Sequence, residues 1–472
     1  MIRPIVASIV GMPPPVALLF TIAFIIFLFR HDIREKPNVT RALWLPLLWM
    51  LTGCTRPLTE WLRIVGLPIS GGVSAEEGSP LDACFYFVLI AAGFLVLNKR
   101  GFNLGQFVER NGWLVAFLLY CFLTIFWSDF PFVALKRWIK VLGLPIMALI
   151  LFTEPDFKEA MTTLMKRCAY IFLTLSVLFI KYYPSLGRKY DDWTGLAVIR
   201  GAAQSKNMLG AGLMLLGLFL FWHLLQVWRR DRGRARRNEL LLITALMLMI
   251  VYLFKVAHSA TSMVCLLIGV LVVAALGMRS VNKRHVGLYL LAAVSALAVA
   301  ELMFGLSGYV IAVLHRNPTL TDRTTLWADL LKIKINPIFG VGFESFWLGD
   351  RLVQLHEGRA FQPNEAHNGY LETYLSLGLV GLSILIVVLI VAFRKIGLNL
   401  VRDFEWGRFQ LGFLIALVLF NITEVSFRGP NTLWLVFYLI AIEYPKGESG
   451  VGEPEVTAEL PEEETEFVHS FG

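Results

Sequence analysis

Apolar runs of 16 to 20 residues recur along this chain, separated by short polar stretches. No other feature limits its fold as much. A run of that length crossing lipid must satisfy its own backbone hydrogen bonds, so it must be a helix. The period-2 alternation of a membrane barrel strand is absent. Mean hydropathy is +0.65. Charged residues make up 17%, against about 25% in soluble domains. These features predict an all-α polytopic membrane protein of about 12–13 transmembrane helices. The candidate spans are 12–29, 42–55, 81–97, 112–127, 139–153, 168–182, 208–226, 238–256, 260–277, 285–304, 371–393, 409–423 and 431–443. Several fall short of the ~20 residues that a straight crossing needs. Their ends are expected to run into flanking polar residues, or their helices to be broken. The first run, interrupted at Pro13, Pro14 and Pro15, reads as a retained span rather than a cleaved leader.

Loop charge predicts orientation. Residues 229–237 hold six arginines in nine positions, which assigns that loop to the cytoplasm. Alternating from it, the loops at 30–41, 98–111, 154–167, 278–284 and 394–408 fall inside. Those at 56–80, 128–138, 183–207, 255–259, 305–370 and 424–430 fall outside. The chain divides into an N-terminal helix bundle over 1–304, a large external loop over 305–370, C-terminal spans over 371–443, and a tail over 444–472. The Gly-, Pro- and Glu-rich tail is expected to be disordered and cytoplasmic. The net charge of +8 lies mostly in short loops, so it orients helices rather than attracting nucleic acid. Cysteines 54, 84, 121, 168 and 265 make no CxxC pair and no metal spacing. No phosphate-binding loop of a nucleotide-driven transporter appears, and no dinucleotide fingerprint.

The longest polar interruption, 315–370, carries most of the chemistry. Thr321 or Asp322 is placed to cap an amphipathic helix with Leu326, Trp327, Leu330 and Leu331 on its apolar face. Asn336 and Pro337 end it. Gly340 and Gly342 allow a tight bend, and a second amphipathic stretch follows. The aromatic side chains Phe339, Phe343, Phe346 and Trp347 suit either the lipid interface or stacking on a sugar or isoprenoid. Arg323 falls in the first helical turn, where a guanidinium fork beside free N–H groups suits a diphosphate. An ion pair with Asp322, Asp329 or a neighbouring loop is the plainer alternative. His367 opens the next span. A neutral imidazole there accepts a proton near pH 7, oriented by Glu365, Asn368 or Tyr370, unless it is only a polar cap. No second histidine stands at zinc spacing, so no metal is expected.

Other polar groups join the same predicted face. Arg200, Lys206 and Asn207, in a stretch with small residues and Gln204, suit phosphate oxygens. Lys136, Arg137 and Lys140 form a weaker group. Ser259 and Ser262 either bond a diphosphate or sugar, or let helices pack closely. Glu301 and Glu424 stand near external span ends. Paired carboxylates at glycosidase spacing are not apparent. Group transfer from an activated diphosphate needs only cations at the leaving group and one base at the acceptor hydroxyl. Arg200, Lys206, Arg323 and His367 supply that set without a cofactor.

Residues 200–210 (RGAAQSKNMLG), 322–327 (DRTTLW) with 336–342 (NPIFGVG), and 367–371 (HNGYL) with Gly378 and Gly381 occur in an order that resembles the O-antigen ligase/polymerase superfamily of bacterial inner-membrane proteins. The resemblance covers roughly 110–425. It implies a GT-C-like helical glycosyltransferase with a periplasmic catalytic loop and undecaprenyl-diphosphate-linked glycan as donor. The acceptor is a lipid-linked repeat unit in polymerases and lipid A-core in ligases. By motif, Arg323 and His367 inherit the catalytic roles and Arg200 a diphosphate-binding one. Many relatives carry an arginine near 258–262, where this chain has His-Ser-Ala-Thr-Ser. That departure, and the Phe-Glu-Ser-Phe-Trp run at 343–347, look more like exopolysaccharide polymerases. Polymerisation in exopolysaccharide or O-antigen synthesis is therefore expected, with a flippase and a chain-length regulator as partners. A ligase is the nearest alternative, and a non-catalytic glycan transporter or flippase is the alternative of another class.

Overall fold

The computed structural model describes residues 12–35, 37–67, 78–190, 197–304, 323–357 and 362–444. In chain order the helices are α1 (Pro14–Arg34), α2 (Trp44–Cys54), α3 (Leu58–Ile64), α4 (Pro80–Lys99), α5 (Leu104–Arg110), α6 (Gly112–Leu123), α7 (Pro131–Phe152), α8 (Phe157–Tyr182) and α9 (Pro184–Gly187). A small antiparallel pair follows, β1 (Arg188–Tyr190) and β2 (Ala197–Ile199), with Arg188 opposite Ile199. Then come α10 (Lys206–Trp228), α11 (Arg234–Ala257), α12 (Ala260–Leu276), α13 (Val286–Phe304), α14 (Arg323–Lys332), α15 (Gly349–His356), α16 (Gly369–Arg402), α17 (Phe404–Thr423) and α18 (Thr432–Ala441). The chain is an all-α polytopic membrane protein. Each of the thirteen candidate stretches is helical over most of its length. Among the described residues, seven helices are long and apolar enough to cross a membrane, or eight if Leu104–Arg110 and Gly112–Trp127, bent by 100°, count as one. Others are short: α2 has 11 residues, α12 has 17 and α18 has 10. Thr321, Asp322 and the tail beyond Tyr444 lie outside the described residues, as does the side chain of Glu301.

Burial sorts the helices into an inner and an outer set. Over the most apolar window of each helix, 83% of α8 is buried but only 17% of α1. Apolar attraction does not drive helices together in lipid, so close approach and dispersion must do so. Glycines on α10 provide that approach. Added Cβ atoms at Gly210 and Gly212 would overlap the Ser259 hydroxyl and the Phe172 ring, respectively.

Polar connections gather at two ends of the bundle. At one end Arg56 donates to the carbonyls of Gly201 (3.1 Å) and Ala202 (3.3 Å). There too Ser128 meets Ser345 (2.6 Å), Asn207 meets Glu424 (2.8 Å) and Gly429 meets Glu344 (2.6 Å). At the other end Glu154 accepts from Thr40 and Arg100, Lys158 pairs with Asp403 (2.6 Å), and Arg229 pairs with Glu405. The two groups are the same two sets of loops that charge counting separated. Several boundaries differ: of the stretches read as loop, 104–110 form α5, 131–138 begin α7, 394–402 continue α16 and 404–408 begin α17, and residues 157–167 are the first three turns of α8. Lys166 and Arg167 are buried there because carboxylates meet them. Lys166 lies 2.8 Å from Glu239 and 3.3 Å from Glu35, and Arg167 lies 2.8 Å from Asp32.

α16 is broken at Gly378, whose φ of +68° leaves the helical region. The freed backbone groups do not stay unpaired. Leu379 N–H donates to Pro337 O (2.9 Å), Val380 N–H to Ile338 O (3.1 Å), and Gly342 N–H to Ser376 O (2.9 Å). The segment 337–342 is thus seated in the break, with Gly340 against Gly378 where neither position has room for a Cβ.

Candidate functional site

Residues 323–357 and 362–368 fold back over the end of the bundle. In chain order this segment holds α14, the positive-φ glycines Gly340 and Gly342, and α15. The aromatics are placed differently from a surface belt. Phe343, Phe346 and Trp347 are buried, and only Phe339 stays exposed. Seating the loop in the α16 break turns Phe346 and Trp347 inward into a cluster with Leu326, Leu330 and Leu375, and Phe343 into the main core of the bundle. Trp347 Nε1 then reaches the Glu372 carboxylate (2.7 Å).

The backbone before His367 is held from both sides. Trp327 donates to Ala366 O (2.8 Å), and Ala366 N–H donates to Glu372 (2.9 Å). Asn368 caps α16, its side chain accepting from the N–H groups of Tyr370 and Leu371 at 3.0 Å. Between these fixed points His367 takes φ +47°, a region that side chains other than glycine seldom occupy without compensation.

Glu424 is where the separate elements meet. It caps the C-terminus of α17 and is 5% exposed. Its Oε1 lies 2.6 Å from Arg323 Nη2, at the start of α14. Its Oε2 accepts from Asn207 Nδ2 (2.8 Å), in the first turn of α10, and lies 3.7 Å from His367 Nδ1. Arg323 Nη1 also donates to Thr423 O. His367 Nδ1 is 3.0 Å from Glu365. The structure therefore differs from the expectation of a neutral imidazole. Burial alone would lower the His367 pKa, but bonding and charge from Glu365 and Glu424 outweigh it and raise it to about 9. Glu365 shifts the other way. Burial raises its pKa, but His367, Arg428 and Arg323 hold it below the usual value.

A pocket with about 570 Å³ of empty space opens beside this group. Glu365, Glu424, Asn207 and Ser205 form its polar wall, and Met208, Ala211, Leu215, Phe420 and Leu433 its apolar one. The N-termini of α10 and α18 both border it, which favours an anion. The ligating atoms of Glu365, His367 and Glu424 lie within 4.8 Å of one another, close enough to hold a metal ion. Arg323 and Asn207 already bond the two oxygens of Glu424, so a metal would have to displace them.

Of the residues singled out by sequence, Arg323, His367 and Asn207 converge on Glu424. Glu365 stands against His367, as one of its three candidate orienters. Arg200 donates to Leu186 O (3.1 Å) and lies 3.8 Å from Glu60, beside buried Arg56. Lys206 is the first residue of α10. Ser259 bonds Ser262 (3.0 Å), and both pack on Gly210, the helix-packing alternative. The Tyr370 hydroxyl donates to Val418 O (3.0 Å), joining α16 to α17. Sequence reasoning passed over Arg428 and gave Glu372 no role. Glu424 carried a signal, as a lone carboxylate at the end of an apolar run.

Residues 244–386 match the family model described as O-antigen ligase (Wzy_C). The chain is similar to that family. The exopolysaccharide production protein ExoQ of Rhizobium meliloti (strain 1021) is 29% identical over 293 residues, 60% of this chain. The chain spans 64% of the length of that relative. Both matches support the ligase–polymerase superfamily without separating its branches. The family-model match contains Arg323 and His367 but ends before Glu424.

Proposed function

We propose that this protein transfers a glycan from a lipid-linked diphosphate donor to an acceptor hydroxyl, as a polymerase of undecaprenyl-diphosphate-linked repeat units. It would act at the periplasmic face of a bacterial inner membrane, within a GT-C-like fold. The observation that carries this reading is Glu424, which gathers Arg323, Asn207 and His367 at the edge of a pocket bordered by two helix N-termini. The similarity to an exopolysaccharide production protein favours polymerisation. The description of the matching family model favours a ligase, which is kept as the second reading.

In this reading Arg323 exchanges Glu424 for the donor diphosphate, aided by the N-terminus of α10. The released Glu424 carboxylate takes the proton of the acceptor hydroxyl as its oxygen bonds to the anomeric carbon. The bond from that carbon to the diphosphate breaks, and the lipid diphosphate leaves with the electron pair. His367, held cationic, donates to the departing oxygen and steers Glu365 and Glu424. Preorganised cations aimed at developing charge are the main source of rate, so no nucleotide is needed.

The test is purified protein with a defined lipid-diphosphate repeat unit, with and without lipid A-core. Chain growth without lipid A-core supports the polymerase. Product only on lipid A-core supports the ligase. No glycosidic bond in either case removes the proposal and leaves transport.

A further inference from the structure

The charged groups continue past His367 toward α7. Arg428 Nη1 donates to Glu372 (3.0 Å) and to Asn364 O (3.3 Å). Next to it Gly429 N–H donates to Glu344, and Arg137 donates to the Glu344 carbonyl. Arg137 stands between Lys136 and Lys140, which are one helical turn apart on α7. Both lysines are half-buried. Lys136 Nζ lies 4.8 Å from the Phe132 ring centroid and Lys140 Nζ 5.6 Å from that of Tyr86. Among the described residues, neither ammonium makes an ion pair. The four cations here meet Glu344, Glu372 and Asp82, and Arg428 also feels Glu365, which His367 holds. Both oxygens of Asp82 are already bonded to Thr59.

We propose that Lys136, Arg137, Lys140 and Arg428 form a second anion site, which holds the phosphate groups of a lipid acceptor. This assignment rests on the glycan-transfer reading. The chemistry of the two substrates separates the sites. In a donor the reacting carbon is bonded directly to the diphosphate, so that diphosphate must lie at the Glu424 pocket. In an acceptor the attacking hydroxyl belongs to a sugar, and its phosphates lie at the far end of the glycan. A second cationic site, joined to the first through Arg428, Glu372 and Ala366, fits the remote end of the acceptor. The rings of Phe132 and Tyr86 beside the lysines suit a ligand rising from an apolar phase.

The experiment uses the full chain in phosphatidylcholine nanodiscs and a donor whose own acceptor hydroxyl is blocked. The acceptors are the lipid-diphosphate repeat unit and the same glycan without lipid or phosphate. For Lys136→Gln/Lys140→Gln, KM for the phosphorylated acceptor should rise about tenfold or more, as expected for lost charge-assisted bonds. The kcat, the affinity for blocked donor and KM for the bare glycan should stay within about twofold by the same reckoning. Lys136→Arg/Lys140→Arg should restore the acceptor KM. Equal loss with both acceptors, or loss of donor binding, would overturn the assignment. So would an effect seen only when phosphatidylglycerol is added, which would mark a site for bulk lipid headgroups. No transfer by the unaltered protein to either acceptor would instead overturn the reading under Proposed function.

Discussion

Glu424 and its partners show how far a single side chain can organise a site. Its carboxylate is buried, so its ion pair with Arg323 is only weakly screened by solvent and salt. Arg323→Ala should lower kcat/KM about a hundredfold or more, the scale of losing one preorganised group at developing charge. Glu424→Gln keeps the shape and leaves Arg323 without its counter-charge. Donor binding should then persist while kcat falls by a similar factor, read by steady-state transfer and by binding of a blocked donor. His367 gives the pH test. Its folded pKa, about 9, exceeds the unfolded value of about 6.5. The stability it contributes is therefore complete below about 6.5 and is lost as pH rises through about 9. If the imidazolium is the working form, kcat/KM should hold through neutral pH and fall above about 9, and His367→Gln should remove that descending limb. A rate that instead climbs above pH 9 would make neutral His367 the base.

At the scale of elements, the broken helix α16 decides where the external segment sits. Gly378 at φ +68° exposes backbone groups that segment 337–342 then bonds. Gly378→Ala would put a Cβ against the Ile338 carbonyl and adds strain of about 1–3 kcal/mol for the left-handed backbone. The expected outcome is faster proteolysis within 337–356 and lost transfer, while helix content by circular dichroism is nearly unchanged. Wild-type proteolysis with lost activity would place the defect elsewhere. The sequence marked Gly378 as part of a motif. It did not show why, because the break depends on a segment some forty residues earlier lying across the helix.

Across the whole molecule, the polar connections occupy two ends of a bundle whose long helices span about 30 Å. This makes sidedness testable as one unit. With exposed Cys84 replaced by serine, Lys334→Cys and Arg232→Cys should react oppositely with an impermeant maleimide in intact cells. Labelling from outside is expected at 334 alone. Labelling at 232 would invert the protein and remove the periplasmic assignment.

The sequence by itself determined the helical membrane class, the thirteen apolar stretches and the two sets of loops. Lipid leaves the backbone few choices, and loop charge is a local property. It also pointed to Arg323, His367 and Asn207, because cations, imidazoles and amides at helix starts have a chemistry that can be read one at a time. Only the tertiary structure decided what they share. Glu424 follows Asn207 by 217 positions and Arg323 by 101, and no local pattern records that meeting. The charge on His367, the inward turn of Phe346 and Trp347, and the packing role of Ser259 and Ser262 have the same origin. Each depends on which side chains lie a few ångströms away, and folding alone brings those together.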